Sequence, residues 1–165
     1  DFPNGALIPW PSVYDQVCVF LAGMALPNDF SNSSLEQFLA SLPLVWGVGS
    51  SVLIAMMGIL LLGWEAGLLA GCLHAFSWGS IHTSAPGVAD HHAWICFGSA
   101  LVFLLLSQAI IHRSVRRGVM YSVFAGAISG VLVASWNAAI LVVGIAGCVL
   151  LLLPLDGFKG GLRLG

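Results

Sequence analysis

Charge is what this sequence has least of. Only 7% of its 165 residues are charged, five basic and seven acidic, against the roughly 25% of an average globular chain. So few charged side chains cannot clothe a water-facing surface. With 59% hydrophobic residues and a mean hydropathy of +1.00, the surplus apolar surface has to face something other than water, and lipid meets that need. A net charge of −2 is too small to argue for nucleic acid or an acidic ligand; its distribution matters more, since all five basic residues fall in the last third of the chain. The aliphatic and aromatic content excludes disorder.

Cysteine is also scarce, and Cys18, Cys72, Cys96 and Cys148 show neither CxxC nor zinc-type spacing. Three of them lie in long apolar runs, where a thiol behaves as a small hydrophobe; a disulfide or metal role is the alternative. There is no Walker A loop, no GxGxxG after a strand and no HExxH. Gly126-Ala127-Ile128-Ser129-Gly130 looks like a membrane serine protease's nucleophile loop, but no histidine follows it, so that reading is rejected. These residues alone place the chain in no family. Asp1 in place of methionine is expected of a processed chain or of part of a longer precursor.

What the sequence does have is long uncharged stretches. Nothing charged lies between Glu36 and Glu65, Glu65 and Asp90, Asp90 and Arg113, or Arg117 and Asp156. A span needs about 20 apolar residues to cross ~30 Å of hydrocarbon. The stretch 118–155 would reach ~57 Å as one helix, so it must fold back, best at Ser135-Trp136-Asn137. The same logic folds 44–82 at Gly63-Trp64-Glu65-Ala66-Gly67. The expectation is an all-α, polytopic transmembrane bundle of about five spans, near 44–62, 66–82, 93–112, 118–135 and 137–154. These form two tight hairpins and one lone span, followed by a short tail, 155–165.

Residues 1–43 read as an extramembrane or interfacial segment. Pro3, Pro9, Pro11 and Pro27 break it up, and its one apolar stretch, 13–26, is too short to span. Ser33-Ser34-Leu35-Glu36 matches a capping box opening a short helix through about Leu42. Asn32-Ser33-Ser34 is also a glycosylation sequon. Arg113, Arg116 and Arg117 mark one side as inside; threading the spans from there brings Lys159 and Arg163 to the same side and leaves the N-terminal segment outside.

Few residues can carry chemistry. His74 falls within the second span, where an ionisable group is costly; it can ligate a haem iron or chlorophyll magnesium, relay protons, or simply hydrogen-bond a neighbouring helix. His82, Asp90, His91 and His92 bracket an outer loop and are ligand types for zinc or copper, or plain interfacial polar groups. Glu65 is either a buried acid or a solvated turn residue. Arg113, Arg116 and Arg117, with His112, form a basic cluster suited to anionic lipid head groups or an acidic partner. Gly63, Gly67, Gly71, Ala75 and Gly79 recur every fourth residue, as do Gly126, Gly130 and Ala134; small residues at that spacing let helices pack closely in lipid. Ser50-Ser51-Val52-Leu53-Ile54-Ala55 echoes Ser129-Gly130-Val131-Leu132-Val133-Ala134, as inverted hairpins would.

The sequence therefore predicts an integral membrane protein whose partners are lipids and other membrane subunits or further copies of itself. A non-catalytic, helix-packing subunit of a larger complex, its His74 available to a pigment or haem, is the first reading. A small transporter is the second, since the span count resembles half of a drug/metabolite-type transporter. A metal-dependent enzyme using the 82–92 loop is the third.

Overall fold

Apolar runs with no water to satisfy their backbone must satisfy it internally, and helices do so within one segment. The computed structural model describes residues 13–26, 31–88 and 91–152. Its regular elements are helical: α1 (Val13–Ala25), α2 (Asn32–Leu62), α3 (Trp64–Ala75), α4 (Trp78–Ser84), α5 (His91–Ile111), α6 (Val115–Ser135), a single 3₁₀ turn (Asn137–Ala139) and α7 (Ile140–Leu152).

Three of these, α2, α5 and α6, are long and apolar enough to cross a membrane. The 21 residues of α5 or α6 reach ~31 Å, the depth of the hydrocarbon layer. Protein covers only 11% to 28% of each spanning window, so the remaining apolar surface faces lipid. The chain is an integral membrane protein with an all-helical transmembrane bundle.

Three elements differ from the sequence expectation. In place of the span foreseen at 137–154 the described residues form a 3₁₀ turn and the 13-residue α7, shorter than a crossing needs. The short helix foreseen near 33–42 and the span foreseen at 44–62 are one helix, α2, of 31 residues. Its cap is Ser31, whose hydroxyl accepts from the Ser34 amide at 3.3 Å, two residues before the Ser33–Glu36 box. Pro43 lies buried inside α2 without ending it; the neighbouring Ala40 carbonyl accepts from the Gly87 amide at 2.9 Å. The span foreseen at 66–82 is instead broken into α3 and α4. Ser77 makes the break: its hydroxyl donates to the His74 carbonyl at 2.8 Å and accepts from the Ser80 amide at 3.3 Å. One side chain thus closes the first helix and caps the second.

The turn between α2 and α3 is Gly63 alone, at φ 97°. Such an abrupt reversal holds the two helices together along their length. A Cβ on Gly58 would come within 2.7 Å of the Gly67 Cα, and one on Gly71 within 3.0 Å of the Ser51 carbonyl. α5 lies between α2 and α6, where Leu132 fills the space above Gly98 and is wholly buried with Ile95, Val102, Ala125 and Ala139 around it. α1 presents Tyr14, Cys18 and Ala22 to the bundle and leaves Val19, Phe20 and Met24 exposed. At 13 residues, ~20 Å, it is too short to cross. α7 touches the rest only lightly.

Candidate functional site

His74 occupies the last turn of α3, just before the Ser77 break, and both its ring nitrogens are engaged. Nδ1 lies 3.1 Å from the Ser51 hydroxyl of α2, and Nε2 lies 3.5 Å from the Cys96 sulfur of α5. The Ser51 hydroxyl has one proton and donates it to the Gly47 carbonyl at 3.1 Å. One arrangement satisfies every contact: the Cys96 thiol donates to Nε2, Nδ1–H donates to Ser51, and Ser51 donates to Gly47. A neutral imidazole so placed ties three helices together. A porphyrin ligand would need one of these nitrogens released.

The end of the bundle where α5 begins gathers imidazole and indole rings. Gly87, at φ 85°, turns the chain between α4 and α5, and its amide anchors that turn to α2. The rings of His91 and His92 stack at 4.6 Å, and both approach Trp136 at the end of α6, at 5.3 and 5.6 Å. One turn further in, the Trp94 indole donates to Ser135 at 3.2 Å and meets Trp46 edge-on at 5.0 Å. The Trp46 indole N–H, though buried, has no acceptor among the described residues. His82 is exposed on α4, its ring 6.2 Å from that of Trp78. Asp90 lies outside the described residues. Among the described residues no three His, Cys, Asp or Glu gather as a metal would require, so His82 does not join the His91–His92 pair in a ligand set.

The opposite end carries the arginines. Arg113, Arg116 and Arg117 are exposed around the α5–α6 turn. His112 organises that turn by accepting from the Ser114 amide at Nδ1, 3.2 Å, with the Arg117 guanidinium 3.1 Å from Nε2. Glu65 is exposed in the first turn of α3, as a solvated turn residue would be.

The chain matches the family described as oligosaccharyl transferase STT3, N-terminal, over residues 2–162. It belongs to that family. Neither curated proteins nor solved structures give a match.

In this STT3-family chain the two glycine rows do different things. Gly67 and Gly71 are buried against α2, facing Ala55, Ile59 and Ser51. Gly63 makes a turn, and an added Cβ at Gly63, Gly79, Gly126 or Gly130 would meet nothing within 4 Å among the described residues. Gly126 and Gly130 are therefore an open wall, not a helix contact. Sequence reasoning missed the partners Gly58 and Gly98, because neither belongs to a row at four-residue spacing: Gly98 is the one glycine of α5, and Gly58 lies nine residues beyond Gly49 in α2. It also missed Ser51 and Cys96, which only the fold brings to His74. The α2–α3 and α6–α7 pairs, which an inverted repeat would make alike, are packed tightly and loosely respectively.

Proposed function

We propose that this chain is the membrane frame of an oligosaccharyl-transferring enzyme, and that the end bearing His82, His91, His92 and Trp136 meets the substrates. The family match along residues 2–162 carries this reading. The ring cluster supports it: imidazole is the side chain suited to giving and taking protons near neutral pH, and flat aromatic faces suit the apolar faces of sugar rings. The described chain is helices in lipid, so an oligosaccharyl donor has to reach it at the interface, where these rings lie. Threading from the three arginines puts this end outside and the arginines inside.

Membranes containing the full protein, supplied with a labelled oligosaccharyl donor and an acceptor, test this. Transfer is expected to fall by at least about a hundredfold in His91→Ala/His92→Ala, as loss of general acid–base groups does. Undiminished transfer would overturn the role of this end. A second reading makes the chain a frame only, with the reacting groups on another subunit; it is favoured by the close backbone packing of α2 on α3 at Gly58, Gly67 and Gly71. Transfer that survives the histidine substitutions but requires a co-purifying subunit is its signature. Transport has less support, because the two hairpins differ in packing.

A further inference from the structure

The loose docking of α7 leaves a cleft of about 850 Å³, walled by Val102 and Leu106 of α5, Gly126 and Gly130 of α6, and Val143 and Gly147 of α7. Among the described residues its floor is open: a Cβ on Gly126, Gly130 or Gly147 would meet no atom of theirs within 4 Å. A second cavity of about 560 Å³ shares Ala109 and Ser122 with the first and is lined by His112, Arg113 and Ser114. An apolar groove therefore opens at one end onto a basic mouth, with Arg116 and Arg117 exposed beside it. Neither cavity has an aspartate or glutamate among the described residues of its lining. From Ser122 to Ala134 the groove runs ~18 Å along α6, close to half the ~30 Å hydrocarbon layer and so to the depth of one leaflet.

We infer that this cleft holds one anionic glycerophospholipid, an acyl chain lying along Gly126 and Gly130 and the phosphate among His112, Arg113 and Ser114. Charge selects the occupant. A second copy of the chain would bring a second arginine cluster to the same mouth and be repelled. A phosphate brings the opposite sign, and each arginine near a head group is worth about a fivefold gain in binding.

Native mass spectrometry of the full chain, purified in mild detergent and offered phosphatidylglycerol and phosphatidylcholine together, reads the outcome. One phosphatidylglycerol is expected to be retained at least about tenfold better than phosphatidylcholine. Arg113→Gln/Arg116→Gln/Arg117→Gln should abolish that preference. Gly130→Leu fills the groove while leaving every arginine, and should lower retention at least tenfold with helix content unchanged by circular dichroism. In the unaltered protein, phosphatidylglycerol with short acyl chains should be retained at least tenfold less than the long-chain form, a comparison that needs no variant to fold. Equal retention of the two head groups, equal retention of short and long chains, or a lipid-free dimer joined through this face would each overturn the inference.

Discussion

His74 joins three helices through one ring, and the Cys96–His74–Ser51 contacts give it a measurable value. Hydrogen bonds between membrane helices average about 0.6 kcal/mol and reach about 1.7. His74→Ala is expected to cost about 1–2 kcal/mol in a detergent unfolding titration. A double-mutant cycle with Cys96→Ala should show coupling of about 0.5 kcal/mol, and strict additivity would mean the two side chains do not interact. With both nitrogens committed, the purified protein should show no Soret band; a band that disappears in His74→Ala would restore the porphyrin role. Glycines give a sharper contrast. Gly63 has φ 97° and ψ 174°, a region essentially reserved for glycine, so Gly63→Ala should destabilise by about 1–3 kcal/mol. Gly79 is helical with open space around it among the described residues, so Gly79→Ala should be neutral or stabilising by up to about 1 kcal/mol. Thermal unfolding of the pair decides between a row of equivalent glycines and the division of labour described above.

At the scale of elements, the α2–α3 contact depends on two backbones meeting without side chains between them. Gly67→Leu should force α3 from α2 at a cost of at least about 1–3 kcal/mol, as overpacking does, and should also weaken the Ser51–His74 contact. Ser77→Ala removes the cap of α4 and should cost about 0.5–2 kcal/mol, read as a lower melting temperature in detergent. The helical membrane class was legible because hydropathy sums over long runs, and no local detail can reverse it. α5 begins and ends within two residues of the stretch drawn at 93–112, because histidines and arginines bracket it. The break at Ser77 was not legible, since one hydroxyl makes it inside a stretch that stays apolar on average. Nor was the continuity of α2, because proline and a polar start argue locally for a boundary that the packing of Pro43 overrides. At the site, His74 announced itself by its rarity, whereas Ser51 and Cys96 are ordinary residues until the helices cross. The family was not reached from motifs: none of the short signatures sought is present, and the match covers residues 2–162.

For the whole molecule, the arginines and the His91–His92 pair mark opposite ends of α5. In a background with all four cysteines replaced by serine or alanine, Arg113→Cys and His92→Cys should be labelled by an impermeant thiol reagent from opposite sides of a sealed membrane. Labelling from the same side would overturn the threading. A last consequence follows from the one-residue turn at Gly63. The segment 64–84 carries Glu65, His74, Ser77, Ser80, His82, Thr83 and Ser84, and neither of its two helices is long enough to enter a bilayer alone. Tethered to the end of α2, it has no freedom to linger outside while α2 goes in. The pair must leave the insertion machinery as one hairpin, the greasier arm carrying the more polar one. Lengthening that turn would therefore harm biogenesis before it harmed the finished fold, and the loss would appear as poor insertion rather than a lowered melting temperature.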